Sequence, residues 1–215
     1  MDTSLFWGKT AKDGRWHPAV CHMSDVGQVA RAMVSSVLPP HLVSQLAYAL
    51  GVPGDDLPAW AGLVASLHDF GKITPGFQGK SPRHFAPIQD TGLMASPVDI
   101  KDHGRLTFLC LSEALTQRGV GAGAADLLTR ILGGHHGAFP AVGDGLPPEK
   151  GPWCEAREQV LAVLEGVFGI WLDGSALRGM SAAPGGWLLW AGFVSVSDWI
   201  GSDSRFFPYV GRPQC

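Results

Sequence analysis

The chain is short of charge. Asp, Glu, Lys and Arg make up 16% of its 215 residues, against about 25% in ordinary soluble domains. With 46% hydrophobic residues and a mean hydropathy of +0.12, much of the chain must be interior. It also lacks a basic excess, carrying a net charge of −3 and a pI of about 6.2. That argues against a free-standing, high-affinity nucleic-acid binder, which needs clustered Lys and Arg. It leaves room for a phosphate substrate held by metal ions, because ions supply positive charge locally. The cysteines are few (Cys21, Cys110, Cys154 and Cys215) and form no C-x-x-C pair. In a core-rich chain without a secretory leader they read as reduced thiols, and the expected location is cytoplasmic. Met1 to Pro18 is polar, so no signal peptide is expected. The longest apolar run, Trp187 to Val196, falls far short of the ~20 residues of a membrane span, so no membrane partner is expected. No G-x-x-x-x-G-K-[ST] ATP-binding element, internal repeat, low-complexity tract or convincing period-two strand pattern is present.

What is present is helical periodicity. Val20, Met23, Val26, Ala30, Met33, Val34 and Val37 recur three and four apart and stop at Pro39-Pro40. A second helix is expected over Leu42 to Leu50, closed by Gly51, and a third over Pro58 to Phe70, closed by Gly71. Residues 73–101 are rich in Pro, Gly and Ser and read as a long irregular segment, which in a compact domain is functional or mobile. Further helices are expected at Gly104 to Arg118, Gly123 to Leu132, Trp153 to Leu172 and Gly186 to Ile200, with a second Gly/Pro loop from Ala138 to Pro152. The length suits one domain and is short for two. The reading is a single all-α domain over 1–205, with 206–215, which holds Pro208 and Pro213, as a linker or cut end.

The most informative residues are His68-Asp69, at the end of the third apolar run and followed by Phe70-Gly71-Lys72. His22, His103, His135, His136 and Asp198 stand in similar settings, mostly apolar or Gly-rich. Imidazoles and carboxylates suit borderline divalent metals such as Mn, Fe, Co, Ni and Zn, and five imidazoles are too nitrogen-rich for an ordinary Mg site. Adjacent helical side chains diverge by about 100°. His68 and Asp69 can therefore serve together only near a helix end and with two metals, the carboxylate bridging them. His135-His136, flanked by Gly133-Gly134 and Gly137, poses the same problem with the same solution. Lys72 is placed to reach the side of Asp69 and there to neutralise a phosphate oxygen or steady a leaving group. Asp198, inside the apolar Phe193 to Ile200 run, needs a partner, and a cation fits. Taken singly, each has a bland reading: a surface or satisfied core histidine, a decorative helix-end aspartate, a capping turn. Together they support one another. His17, His41 and His84 lack such context and are assigned to the surface. Cys21, Cys110 and the tryptophans read as core.

The ordered set His22, His68-Asp69, His103, His135-His136, Asp198 resembles the HD superfamily of metal-dependent phosphohydrolases. The finer resemblance is to the HD nuclease domain of Cas3, the CRISPR type I effector, in its type I-E branch. Trp7-Gly8-Lys9-Thr10, His17-Pro18 through His22, His68-Asp69-Phe70-Gly71-Lys72 through Phe77-Gln78, Gly134-His135-His136-Gly137, and Ser197-Asp198-Trp199-Ile200-Gly201-Ser202 running to Phe207-Pro208 carry it across nearly the whole chain. The bare doublet is a weak signal; the five blocks in order are a strong one. The resemblance implies an HD-domain helical bundle with a dinuclear metal site in its core. It implies metal-dependent nicking and degradation of single-stranded DNA in CRISPR interference against foreign DNA, with Asp69, Lys72 and His68 at the chemistry. One ion would be held by His22, His68, Asp69 and Asp198, and a second by Asp69, His103, His135 and His136, with His84 the alternative to His103. The ions would be two divalent transition metals, Mn, Ni, Co or Fe before Mg, with Zn also suited. The partners would be single-stranded DNA, a superfamily 2 helicase domain in cis or as a separate subunit, and the CRISPR surveillance complex, Cascade. The competing readings are an HD-superfamily nucleotide or cyclic-nucleotide phosphohydrolase, and a metal-stabilised scaffold that docks on the surveillance complex.

Overall fold

Every residue from Ala61 to Pro75 is buried, and this stretch is the axis around which the rest is arranged. The structure is a computed structural model that describes residues 1–95, 102–141 and 151–211. In chain order it has strands β1 (Trp7–Thr10) and β2 (Trp16–Pro18) and helices α1 (Ala19–Ser36), α2 (Pro40–Leu50) and α3 (Leu57–Ser66). A 3-10 segment, Leu67–Lys72, continues α3 and is followed by α4 (Pro75–Gln78) and α5 (Pro82–Gln89). Then come α6 (His103–Gln117), α7 (Ala122–Gly133), α8 (Pro152–Phe168) and α9 (Pro184–Gly201). The protein is mostly helical, as the periodicity requires. α1 and α8 flank α3, α6 covers the 3-10 segment, α7 packs on α6, and α9 crosses α1, α2 and α7. Leu63, Val64, Leu67 and Phe70 have no exposure, and burial of such a side chain contributes about 1.5–3 kcal/mol. α3 has no side-chain cap at its N-terminus, so packing rather than capping holds it.

The helices fall where the apolar spacing places them, with differences at the ends. The helix expected over Pro58 to Phe70 is α only as far as Ser66 and then tightens to 3-10. The helix expected to reach Leu172 stops at Phe168, because Gly169 turns left-handed at φ +69°. Ile170 to Leu172 continue the apolar pattern but leave the helix, and Glu165 accepts a hydrogen bond from the Leu172 amide at 2.8 Å.

Three expectations are corrected. The segment 73–101 is only partly irregular where it is described: Pro75 and Pro82 open two short helices, α4 and α5, since proline suits a first helical turn. Residues 96–101 of that segment, and 142–150 of the second Gly/Pro loop, lie outside the described residues. The N-terminus forms an antiparallel hairpin, β1 with β2, that no alternation announced. The register shifts between Trp7 and Lys9, and Trp7 and Gly8 are both buried, so the period of two is broken. His17 is not a surface residue: it lies on β2 at 4% exposure, with its Nε2 2.9 Å from Asp25 Oδ2. His41 is exposed and His84 half-buried. Residues 206–211 return to the hairpin, where the Gly211 amide donates to Trp16 O at 2.9 Å and Tyr209 stacks on His17. No helix among the described residues is long and apolar enough to cross a membrane.

The 3-10 segment can lie against α6 only because position 71 has no side chain. A Cβ on Gly71 would stand 2.3 Å from both His103 O and Thr107 N, backbone atoms that have nowhere to go. Gly71→Ala is expected to cost about 3 kcal/mol, the upper range for overpacking, read as a lower urea midpoint at unchanged slope. An unchanged midpoint would show that α6 is not clamped there.

Candidate metal centre

Five elements deliver the chemistry-bearing residues to one place. His22 comes from the first turn of α1, His68 and Asp69 from the 3-10 segment, and His103 from the first position of α6. His135 and His136 follow the end of α7, and Asp198 lies on the last turn of α9. The 3-10 winding sets successive side chains about 120° apart, and Asp69 departs from helical geometry at φ −102°, ψ 15°. This break lets adjacent residues face a shared centre, as the doublet required. α6 and α7 meet backbone to backbone: a Cβ on Gly104 would lie 2.5 Å from Gly133 O, and one on Gly133 2.8 Å from Gly104 O. That close crossing sets His103 opposite the two histidines after Gly133-Gly134.

All seven residues singled out as ligands converge. Asp69 stands between two groups, at 2% exposure. Its Oδ2 is 3.2 Å from His22 Nε2, 3.2 Å from His68 Nε2 and 2.6 Å from Lys72 Nζ. Its Oδ1 faces the other way, 3.3 Å from His103 Nε2 and 3.9 Å from His135 Nε2. Asp198 Oδ1 closes the first group, 3.3 Å from His22 Nε2 and 3.4 Å from His68 Nε2. His136 closes the second, its Nε2 2.9 Å from His103 Nε2. Three overlapping triplets of ligand atoms result, each within 4.8 Å of one another: His22, His68 and Asp69; His68, His135 and Asp198; and His103, His135 and His136. His84 lies elsewhere, beside Trp16 and Trp7 and hydrogen-bonded to Ser81.

Several of these atoms have no hydrogen bond. His22 Nε2, His68 Nε2, His135 Nε2 and Asp69 Oδ1 are buried without a directed partner, a cost of a few kcal/mol if nothing else binds them. Two of the outer ring atoms are committed: His68 Nδ1 donates to Ala65 O at 2.9 Å and His135 Nδ1 to Leu132 O at 2.6 Å, while His22 Nδ1 is buried without a partner. On neutral His135 a proton held on Nδ1 leaves the Nε2 lone pair aimed inward, as a metal-binding histidine requires, and His68 takes the same form once its Nε2 proton is displaced. The donor set therefore fits divalent metal.

Burial lowers the pKa of His22, and it brings His103 down to about 4 and His135 to about 3, the last also repelled by the charge on His68. His68 goes the other way. Burial opposes its charge, but Asp69 and then Asp198 outweigh it and lift it to about 9. Burial alone would raise both carboxylates. His68 and Lys72 instead hold Asp69 well below the usual range, and His22 and His68 lower Asp198.

Apart from Lys72, the supporting residues were not foreseen. Lys72 does reach the side of Asp69, but its ammonium is turned inward onto that carboxylate and onto Gly8 O at 3.1 Å. Gln78 ties β1 to the 3-10 segment: its Oε1 accepts from the Trp7 amide at 3.1 Å, and its Nε2 donates to Trp7 O and Lys72 O at 3.0 and 2.8 Å. Lys9 hydrogen-bonds Ser202, whose hydroxyl donates to Asp198 Oδ1 at 2.8 Å. Ser195 donates to His135 O at 2.7 Å. The available signal was the Trp7-Gly8-Lys9-Thr10 block and the Ser202 that ends the Asp198 block, residue types with no chemistry legible apart from their positions.

A helical bundle that gathers a His-Asp doublet, four further histidines and a distant aspartate into one buried cluster defines an HD-type domain. The chain belongs to the family described as Cas3, HD domain, whose model matches residues 7–207. It is 33% identical over 216 aligned residues to the CRISPR-associated endonuclease/helicase Cas3 of Thermus thermophilus, an alignment covering 97% of this chain and 23% of that protein. The chain thus spans about a quarter of the length of that curated relative. A crystal structure of a CRISPR-associated protein matches at a TM-score of 0.85 and 32% identity, covering 100% of this chain and 25% of the other. The Thermus thermophilus Cas3 HD domain, solved in the presence of Ni2+, matches at 0.71 and 29%, covering 99% of this chain and 83% of the other.

Thr107 has no exposure; its Oγ1 donates to His68 O and accepts from the Gly71 amide, both at 2.9 Å. Thr107→Val keeps the shape and strands both groups. A loss of about 1–3 kcal/mol in denaturant unfolding is expected, largely restored by Thr107→Ser. Equal stability of the Val variant would show that this hydroxyl does not hold the doublet.

Proposed function

We propose that this chain is a metal-dependent nuclease that hydrolyses phosphodiester bonds of single-stranded DNA in CRISPR interference. The observation that carries the reading is the division of Asp69: each oxygen of one buried carboxylate faces a separate set of inward-pointing imidazole nitrogens. On this reading His22, His68, Asp69 and Asp198 hold one divalent ion, and Asp69, His103, His135 and His136 hold the second. When bound, such ions lower the pKa of a water to about 7 and stabilise the charge that develops on the phosphate and the leaving oxygen. The chain's own residues do the rest. Asp69 keeps the two halves in register, and Lys72 fixes the Asp69 rotamer while adding positive potential near the phosphate. The carbonyls of Ala65 and Leu132 keep His68 and His135 in the tautomer that can ligate. Five imidazoles favour Mn, Ni, Co or Fe over Mg, with Zn also suited, and the related Thermus HD domain was solved with Ni2+.

The substrate reading rests on access. His136 is exposed, and the side chains of His103 and Asp198 keep 20% and 13% of their surface, so the centre is recessed but open along one rim. A single strand can thread to it where a duplex is held off. The Thermus relative unites an endonuclease with a helicase in one longer chain. A superfamily 2 helicase, in cis or as a separate subunit, is accordingly proposed as the partner that feeds the strand, with the surveillance complex Cascade as the recruiting partner in the cytoplasm.

The test is cleavage of circular single-stranded DNA by EDTA-stripped protein re-supplied with Mn, Ni, Co or Mg in turn, beside Asp69→Ala. Metal-dependent loss of the circle, reduced at least a hundredfold in the variant, is expected. A circle that survives every metal while elemental analysis finds metal bound would sink the nuclease reading and favour nucleotide hydrolysis.

Metal uptake should also release protons. An imidazole must be neutral to ligate, and His103 and His135 already are above about pH 4 and 3. His68 holds its proton up to about pH 9 without metal, so affinity should rise with pH until that point. Calorimetric titration at pH 7 in two buffers of unlike ionisation enthalpy should give different heats. Identical heats would show that no proton is displaced.

A further inference from the structure

Two lysines stand at the carboxylates of this centre, and their surroundings differ. Lys72 is enclosed, its side chain at 7% exposure, with its ammonium 2.6 Å from Asp69 Oδ2 and donating to Gly8 O at 3.1 Å. Moving it would strand a buried carboxylate. Lys9 lies on the Asp198 edge and keeps 20% of its side-chain surface. It is held by one hydrogen bond to the Ser202 hydroxyl and lies 4.0 Å from Asp198 Oδ1. The strand that carries it is not loose. Trp7 is fixed to Gln78 by both backbone groups and by its indole, which donates to Gln78 O at 3.0 Å.

Resting on the nuclease reading, we propose that Lys9 is the cation that contacts the backbone phosphate of the DNA strand at this centre, while Lys72 stays bound to Asp69 and acts on the phosphate only through its field. The reasoning is electrostatic. Asp198 Oδ1 is the atom that Lys9 shares with His22, His68 and Ser202. An ion held by those ligands takes up the charge of that oxygen and repels a neighbouring ammonium. Lys72 cannot yield, because Asp69 and Gly8 hold it. Lys9 can, since its flexible stem has partly open surface ahead of it and loses only one hydroxyl contact. The outward swing brings its charge to the rim, where an anionic strand arrives.

The experiment follows the salt dependence of strand binding. Metal-loaded protein is titrated against a fluorescein-labelled phosphorothioate dT strand over a range of KCl concentrations. A lysine on one phosphate contributes about 0.7 to the slope of log affinity against log salt for a single strand. Lys9→Gln should lower the slope by ~0.7 with metal per chain unchanged, and Lys9→Arg should restore it. A slope equal to that of the unaltered chain overturns the proposal, and so does a variant that loses metal at unchanged slope, which makes Lys9 a clamp on Asp198. Absence of salt-dependent binding by the unaltered chain overturns it as well. Failure to cut circular DNA would instead count against the nuclease reading, and the slope would still decide whether Lys9 meets phosphate.

Discussion

The carboxylate of Asp69 is the constraint around which the molecule is organised. At 2% exposure it has lost its water, and an isolated buried charge of this kind costs several kcal/mol unless cations surround it. Two imidazoles and an ammonium face one oxygen and two more imidazoles face the other. No single helix can supply such a surround, because helical side chains separated by less than a turn point apart. Positive charge comes from His68 and Lys72 on the 3-10 segment itself, while α1, α6 and the turn after α7 bring up further imidazoles, those of His103 and His135 neutral at pH 7, suited to share a cation with the carboxylate. Each close backbone approach in the bundle, at Gly71 against α6 and at Gly104 against Gly133, moves one of these elements within ligand range. The site is therefore a product of the packing, and the packing in turn depends on the site being neutralised.

This mutual dependence explains what could be read from the sequence. Helices with one buried face, such as α1, are legible because burial imprints a period of three to four. The ligand set is legible for a related reason: His and Asp in apolar or Gly-rich surroundings conflict with their context, and such conflicts mark function. The hairpin is not legible. It is short, its register shifts between Trp7 and Lys9, and two adjacent residues on it are buried, so the imprint of a strand is erased. His17 was misplaced for the same reason, since its burial comes from the hairpin and from Asp25. Pro75 and Pro82 look like breakers on any composition count but act as helix starters when Thr74 and Ser81 precede them in extended conformation. Lys9 and Ser202 could be found only in three dimensions, because a lysine near a chain start and a serine past a helix end have no unusual context until α9 meets β1.

The charge balance also makes sense at this scale. The chain carries a net −3, which under the proposed function would be unfavourable at long range: the field of the whole molecule would not draw DNA in. On the proposed reading the attraction would be concentrated instead at Lys9 and at exposed His136, backed by the ions the ligands are suited to hold. A field confined in this way decays within about a Debye length, ~10 Å at moderate salt. It acts on a strand already delivered and does little to capture one from solution. Under the proposed function such a site would be weak at finding DNA and strong at binding a phosphate brought to it. That property is what a domain joined to, or docked on, a strand-feeding motor requires, since a steering field of its own would expose any single strand nearby to cleavage. On that reading the low charge of the chain, the recessed ligands and the short-range rim would be parts of one arrangement, in which delivery by a partner decides what is cut.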